Sequence, residues 1–538
     1  EALQKLAAQN ARFEEIVREL EAERAAKQTA EEEAARLRDT LRTRGPAAVE
    51  QLHFDEATTR RRLIDTMLVE AGWDVGADGA DTAEVAREVE VKEQPTDTGI
   101  GKCDYVLWGD DGKPLMLVEV KRTSVDARDG QNQARLYADA LERQYGQRPV
   151  IVCSNGFDIW LWDDATGWPP RKLFGFYSKD SIEQLIHQRT NAQPFDALAP
   201  NEAIVDRMYQ LEGIKRVTER FGDRRRKALM VMATGVGKTR VGIALADLMM
   251  RVGRGRRVLF LCDRRELRKQ ARDAFTAFTP HSPVVVRAAT AKERQHRIYL
   301  ATYPAMMQIF QSFDPGFFDI IFADESHRSI YNVYGDLFRW FDGYQVGLTA
   351  TPVEMISRST CELFDCRRDD PTFNYPYEEA VEEGWLVPFE LYTHTTRFLR
   401  DGIQGHALTP EQISELEDQG IDPNTLDFEV EDIDRIVFNK DTNRKILQNL
   451  MDEGQRKPDG QTLGKSIIFA RNHRHALLLR ELFDELYPQY GGRFCQVIDN
   501  YEPRAETLID EFKDPANELT VAISVDMLDT GIDVPEVV

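Results

Sequence analysis

Between residues 227 and 352, five apolar runs are separated by helical stretches, and the first run ends in a phosphate-loop signature. The runs are "KALMVMATGVGKT", "RVLFLCD", "RIYLATY", "FFDIIFAD" and "YQVGLTATP". Strands this apolar are buried on both faces, and a parallel sheet covered by crossover helices is the arrangement that buries them. The pattern predicts a doubly wound α/β unit beginning near residue 204.

The ends of those strands carry the chemistry. Gly235 and Gly237 let backbone N–H groups fold around phosphates at the start of the helix "VGIALADLMM", with Thr234 in the same loop. Lys238 then reaches the β- and γ-phosphates, and the Thr239 hydroxyl is placed to bind Mg2+. Met232 stands where the common pattern has its first glycine. "FFDIIFADESH" ends another strand in Asp324 and Glu325, at the carboxyl edge where open α/β sheets bind ligands. Asp324 suits Mg2+, and Glu325 suits orienting and deprotonating an attacking water. "GLTATP" ends a further strand in hydroxyls. Together these features predict an ATP- and Mg2+-dependent NTPase.

The 538 residues predict several domains. Residues 1–44 read as a long helix, rich in Ala, Glu and Leu, either a coiled coil or a helix packed on its own chain. Residues 50–190 mix helices and strands, 204–355 form the first parallel-sheet lobe, and 356–440 are an acidic connection. Residues 441–538 open a further α/β lobe at "GKSIIFA" that is incomplete at the C-terminus. The chain begins at Glu1 and stops at Val538 after a motif-like stretch, so an excerpt of a longer protein is expected. It has no run of about 20 apolar residues, which predicts no membrane association and a cytoplasmic location. Six scattered cysteines include no CxxC pair, arguing against structural zinc or a disulfide framework. The net charge of −23 excludes a uniformly basic nucleic-acid binder, but "TTRRRL", "DRRRK", "RVGRGRR" and "DRRELRKQAR" are local basic patches.

A second chemistry lies upstream, in "CDYVLWGDDGKPLMLVEVK". Asp111-Gly112 is a two-residue hairpin signal; a register set by it pairs residues whose numbers sum to 223. Asp104 then faces Glu119 with Cβ atoms about 5 Å apart, and Lys121 shares their face. Two carboxylates so close call for a cation, and hard oxygen ligands suit Mg2+. Lys121 is then placed to orient a water or stabilise charge on a phosphate.

The ordered motor motifs resemble those of superfamily-two helicases and translocases over about 205–538. That resemblance implies two RecA-like lobes, with adenine read by "RMYQLEGI" through Gln210 and its neighbour Arg207. It implies a variant DEAH box at Asp324-Glu325-Ser326-His327, motif III at Thr349-Ala350-Thr351 and motif V at "VDMLDTGIDVPEV", with Asp533 toward the nucleotide. Strand contacts are implied for Arg264 and Arg265 in "DRRELRKQA", Thr302 in "ATYPAM", Arg471 in "KSIIFARNHRHA", and Thr530. Motif VI is expected beyond Val538.

The D…ExK pattern of Asp104, Glu119 and Lys121 resembles PD-(D/E)xK nucleases, and Gln133 with Tyr137 resembles the QxxxY element of one subgroup. Glu56, in "EATTRRRLID", is a further acidic candidate. Taken in order from about residue 50, these elements and the motor resemble the restriction (R) subunits of type I restriction–modification enzymes. The resemblance implies an ATP-driven translocase on double-stranded DNA coupled to Mg2+-dependent cleavage, assembled with methyltransferase and specificity subunits. The alternative is a translocase or remodeller whose N-terminal domain binds DNA without cutting it. A third reading makes the chain a scaffold whose coiled coil carries the function.

Overall fold

The computed structural model describes residues 59–77, 80–287, 293–325, 330–351, 358–367, 370–391, 403–404, 427–428, 440–457, 459–525, 527–528, 534 and 537. The expected N-terminal helix over 1–44, Glu56, Ser326, His327, Thr530, Asp533 and most of the 356–440 connection lie outside them. By internal contacts the described chain forms two units. The first comprises the residues up to 231 with 239–263 and 272–374; the second comprises 232–238, 264–271 and the residues from 375 onward.

The N-terminal domain of the first unit is a six-stranded sheet in sequence order. Its strands are β1 (Val85–Lys92), β2 (Ile100–Trp108), β3 (Pro114–Val120), β4 (Val150–Ser154), β5 (Ile159–Trp162) and β6 (Arg171–Leu173). Every neighbouring pair is antiparallel except β3–β4, which is parallel. That pair needs a crossover, supplied by α2 (Gln131–Tyr145), which follows the short helix α1 (Asp65–Glu70). Ala134, Tyr137, Ala138 and Leu141 form one stripe of α2 and pack with Val106, Leu117 and Ile151. Tyr105, Leu107 and Val118, on the opposite sheet face, pack with Ile64, Leu68 and Trp73 from the α1 region. Each such buried side chain contributes about 1.5–3 kcal/mol. With both faces covered, β3 is buried along its whole length, Glu119 included.

Strands β1 and β6 have no counterpart in the sequence reading. The run "VAREVEVK" opens with two apolar and then two charged residues, which breaks the period of two, and β6 has only three residues. The hairpin turn also differs from the two-residue form. Gly109 N–H donates to the Lys113 carbonyl at 2.9 Å, so three residues, Asp110 to Gly112, make the loop. Gly112 takes φ +72°, the left-handed position that such loops require. A register shift between Leu107 and Trp108 absorbs the difference, so the strands beyond it keep the expected pairing.

The second sheet has seven strands: β7 (Lys227–Met232), β8 (Val258–Cys262), β9 (Val284–Val285), β10 (Ile298–Thr302), β11 (Ile320–Asp324), β12 (Tyr344–Thr349) and β13 (Phe373–Tyr375). Their order is β13-β7-β12-β11-β8-β10-β9. The ladders from β7 to β9 are parallel, as the apolar runs require. The edge strands β9 and β13, two and three residues long, are too short to leave a periodic signal.

The N-terminal domain docks on the amino ends of these strands. Arg171 Nε, on β6, lies 2.5 Å from Asp342 Oδ2, just ahead of β12. Helix α3 (Lys179–Asn191) follows, and its Gln188 Nε2 donates to Asp319 at 3.0 Å, just ahead of β11. Asp180, at the start of α3, pairs with Arg256 and Arg257, just ahead of β8. The carboxyl ends of the strands are therefore at the opposite edge from the docked domain.

In the second unit, the strands Ser466–Phe469, Val521–Ser524 and Cys495–Val497 form a three-stranded parallel sheet in that order. The helix His473–Leu486 packs Leu479, Leu482 and Phe483 with Val497 and Val521. Among the described residues, no helix is long and apolar enough to cross a membrane.

Candidate functional site

On the N-terminal sheet, Tyr105 pairs with Val118 and Val106 with Leu117. Asp104 and Glu119 each stand one residue beyond that pair of Tyr105 and Val118, on β2 and β3. Asp104 Oδ2 accepts the backbone N–H of Val120 at 2.7 Å. Lys121 Nζ lies 2.8 Å from Glu119 Oε1 and 3.4 Å from Gln133 Oε1. Gln133 Nε2 in turn donates to the Tyr137 hydroxyl at 2.7 Å. The five candidates from this region therefore belong to one small neighbourhood. Gln133 and Tyr137 reach it through Lys121.

The local sequence explains why this cluster holds together. Glu119 is only 2% exposed, and the Lys121 ammonium beside it supplies the counter-charge a buried carboxylate requires. Gly130, at the start of α2, leaves room for that pair: a Cβ there would lie 2.7 Å from Glu119 Cγ and 2.9 Å from Lys121 Cε. Cys153, opposite Glu119 on β4, has its thiol pushed up to about 12 by burial, with the Glu119 charge adding to the effect.

Two residues that sequence reasoning missed complete the cluster. Arg60 Nη1 lies 3.4 Å from Asp104 Oδ1 and 3.2 Å from Glu88 Oε1. Arg60 stood in the sequence only as part of a basic patch, and Glu88 carried no signal. Asp65, in the same "RRRLID" stretch, is a structural partner: it accepts from the Tyr105 hydroxyl at 2.8 Å.

A Mg2+ ion fits this donor set. It binds through one or two carboxylates, keeping several waters, and Asp104 and Glu119 supply two. Among the described residues, no group of three or more His, Cys, Asp or Glu gathers as a metal cluster.

At the carboxyl edge of the second sheet, β7 runs into the phosphate-loop residues. Gly235 and Gly237 take φ +87° and +88°, which turns successive backbone N–H groups. The helix α4 (Lys238–Arg251) starts at Lys238, so its positive end faces the loop. Asp324 ends β11 and Thr349 ends β12; both are buried, and β12 lies between β7 and β11. Glu325 is also buried, with a left-handed backbone at φ 52°. Strain of that kind gathers at functional sites. Tyr303 donates to the Asp324 carbonyl at 2.9 Å, steadying the end of β11.

The other candidates are more scattered. Gln210 is buried on the helix Met208–Gly222, and Arg207, just before it, donates to the Tyr209 hydroxyl at 2.9 Å. Thr302 ends β10, which is separated from β7 by β12, β11 and β8. Arg265 is exposed, Arg264 half-buried, and Arg471 exposed ahead of the helix His473–Leu486.

Comparison with known proteins finds two families. Residues 3–169 match the family described as "Type I restriction enzyme R protein N terminus". Residues 203–354 match "Type III restriction enzyme, res subunit". The chain is 25% identical over 517 residues to the type I restriction enzyme EcoAI endonuclease subunit of Escherichia coli, covering 89% of this chain and 60% of that protein. It is also 25% identical over 582 residues to the EcoKI endonuclease subunit of Escherichia coli (strain K12), covering 89% and 48%. The chain thus spans about half the length of the curated relatives it matches. A solved fragment assigned as the HsdR subunit of a type I restriction enzyme from Vibrio vulnificus YJ016 shares 22% identity at a TM-score of 0.47, covering 90% of this chain and 86% of that one.

Proposed function

We propose that this chain, which belongs with the HsdR-like R subunits of type I restriction enzymes, is the motor and cleavage part of such a subunit. It moves double-stranded DNA at the expense of ATP and cuts it at the Asp104–Glu119–Lys121 cluster. The observation that carries the cleavage reading is the set of contacts at the end of β3, where Lys121 is ion-paired to Glu119 and the N–H of Val120 between them donates to Asp104.

In the motor, the backbone N–H groups around Gly235 and Gly237 hold the phosphates, and Lys238 takes the β- and γ-phosphate charge. Thr239 and Asp324 are the Mg2+ ligands, and Glu325 orients and deprotonates the attacking water. Gln210 and Arg207 read the adenine. At the cleavage cluster, Asp104 and Glu119 hold Mg2+, which when bound supplies neutralisation of phosphate charge. Lys121 orients a water, and Gln133 with Tyr137 fixes the position of the Lys121 ammonium. The chain holds DNA mainly through phosphates, and base specificity belongs to a partner specificity subunit, with a methyltransferase subunit completing the complex.

The test is a complete complex with its partner subunits acting on circular DNA. Asp104→Ala and Lys121→Ala are expected to abolish cutting while duplex-stimulated ATP hydrolysis continues. Lys238→Ala is expected to abolish both. Undiminished cutting by Asp104→Ala would leave a motor whose N-terminal domain grips DNA without cleaving it.

A further inference from the structure

We infer that Arg60, held in place by Glu88, binds the scissile phosphate of the DNA duplex beside Asp104. The inference rests on the nuclease reading of that cluster. Its first support is the position of the guanidinium. Nη1 lies 3.4 Å from Asp104 Oδ1, while the other oxygen of that carboxylate is taken by the Val120 N–H. Any phosphate brought to Asp104 by a shared cation therefore arrives next to Arg60. A guanidinium presents paired N–H donors that match two phosphate oxygens, and it keeps its charge at every working pH.

The second support is independent. Along β1, Arg87 pairs with Tyr105 and Val89 with Cys103, so Glu88 stands opposite Asp104, yet it forms no ladder step. Its backbone is left-handed, at φ 49°, which is strained for a residue with a side chain. Such irregularities in strands occur next to active sites, where they re-aim a side chain. Here the re-aimed carboxylate contacts Arg60 at 3.2 Å. Lys102 Nζ, 3.9 Å from Glu88, adds a second cation on the same rim.

A purely structural ion pair explains this less well. The Arg60 and Asp104 side chains keep 23% and 17% of their surface exposed, which leaves the pair open to an approaching phosphate. Glu88 gives Arg60 a second anchor, so the guanidinium stays in position when Asp104 turns to a cation.

The experiment uses the complete complex, circular DNA and Mg2+ at saturation, with Arg60→Ala, Arg60→Lys, Glu88→Gln and Asp104→Ala side by side. Arg60→Ala is expected to slow cutting about a hundredfold, the usual effect of removing one donor to a reacting oxyanion. Arg60→Lys should recover part of that loss, because it keeps the charge and gives up the fork. Glu88→Gln should slow cutting about tenfold, as for groups that orient a site residue. The second readout is the Mg2+-dependent rise in thermal stability of the chain without DNA. Arg60→Ala should keep or enlarge that rise, since a competing cation has left Asp104.

Arg60→Ala cutting at the wild-type rate overturns the inference and leaves the nuclease reading standing, provided Asp104→Ala is dead. Should Arg60→Ala fail to fold, Glu88→Gln cutting at the wild-type rate overturns it instead. If Asp104→Ala still cuts, the nuclease reading falls and this inference with it.

Discussion

Arg171 and Asp342, 171 residues apart, form a 2.5 Å ion pair that ties the last strand of the N-terminal sheet to the residue just ahead of β12. The Tyr177 hydroxyl donates to the same Asp342 oxygen, and Arg226 donates to the Asp342 carbonyl. Both carboxylate and guanidinium are largely buried, at 11% and 15% exposure. One carboxylate thus gathers several of the contacts that join the N-terminal domain to the parallel sheet.

Asp342→Asn is therefore expected to destabilise the first unit by about 3 kcal/mol, because it leaves the buried Arg171 without its counter-charge. Urea unfolding followed by two probes, one in each sheet, checks this. The wild type should show one transition, and the variant two.

Acid should have the same effect on the wild type. Burial pushes Asp342 up, but Arg171 and Arg226 together with the Tyr177 hydrogen bond hold it below the usual carboxylate range. A depressed carboxylate contributes stability that is fully present above its unfolded value, about pH 4, and is lost as pH falls through the folded value. Stability measured from pH 6 down to pH 3 should fall with a component that Asp342→Asn lacks.

Gly130→Ala is expected to slow DNA cutting at least about tenfold, since displacements of an ångström at a reacting group have effects up to a hundredfold. The added Cβ would lie 2.7 Å from Glu119 Cγ, closer than two carbons can approach, so the Glu119 side chain, only 2% exposed, must shift. Duplex-stimulated ATP hydrolysis in the same preparation should be unchanged, because Gly130 lies in the N-terminal domain. An equal loss of both activities would point to misfolding.

Tyr137→Phe removes the hydroxyl that accepts from Gln133 at 2.7 Å, freeing the amide that contacts Lys121. Cutting should slow about tenfold, as when a group orienting a site residue is removed. Thermal stability should hardly change, because the ring keeps its place in the core. Gln133→Ala should give a similar loss, and the double variant little more, since both act through Lys121.

Cys153 should resist alkylation in the folded protein at pH 8, where a thiol with a value near 12 is almost wholly protonated. Mass spectrometry after iodoacetamide treatment, with and without urea, reads this directly. Rapid labelling without urea would mean that β4 is not packed beside Glu119.

The sequence by itself determined what depends on short range. Period-two and continuous apolar runs marked β2, β3, β4, β5 and the long parallel strands, because burial on one or both faces writes itself into neighbouring residues. The pairing of Tyr105 with Val118 and of Val106 with Leu117 was legible from the hairpin, since a turn sets the pairing of the strands it joins. The loop itself has three residues rather than two, and a register shift compensates.

Only the tertiary structure decided the rest. Strand β1 breaks the period of two at Arg87-Glu88, and nothing in its spacing shows that Glu88 would turn left-handed opposite Asp104. Arg60 is 44 residues from Asp104, and its role depends on how the segment around α1 lies across the sheet. The docking of Arg171, Asp180 and Gln188 on the amino ends of the parallel strands joins polar residues across long loops. Such pairs are selected by burial and charge after the chain has folded, so no local period announces them.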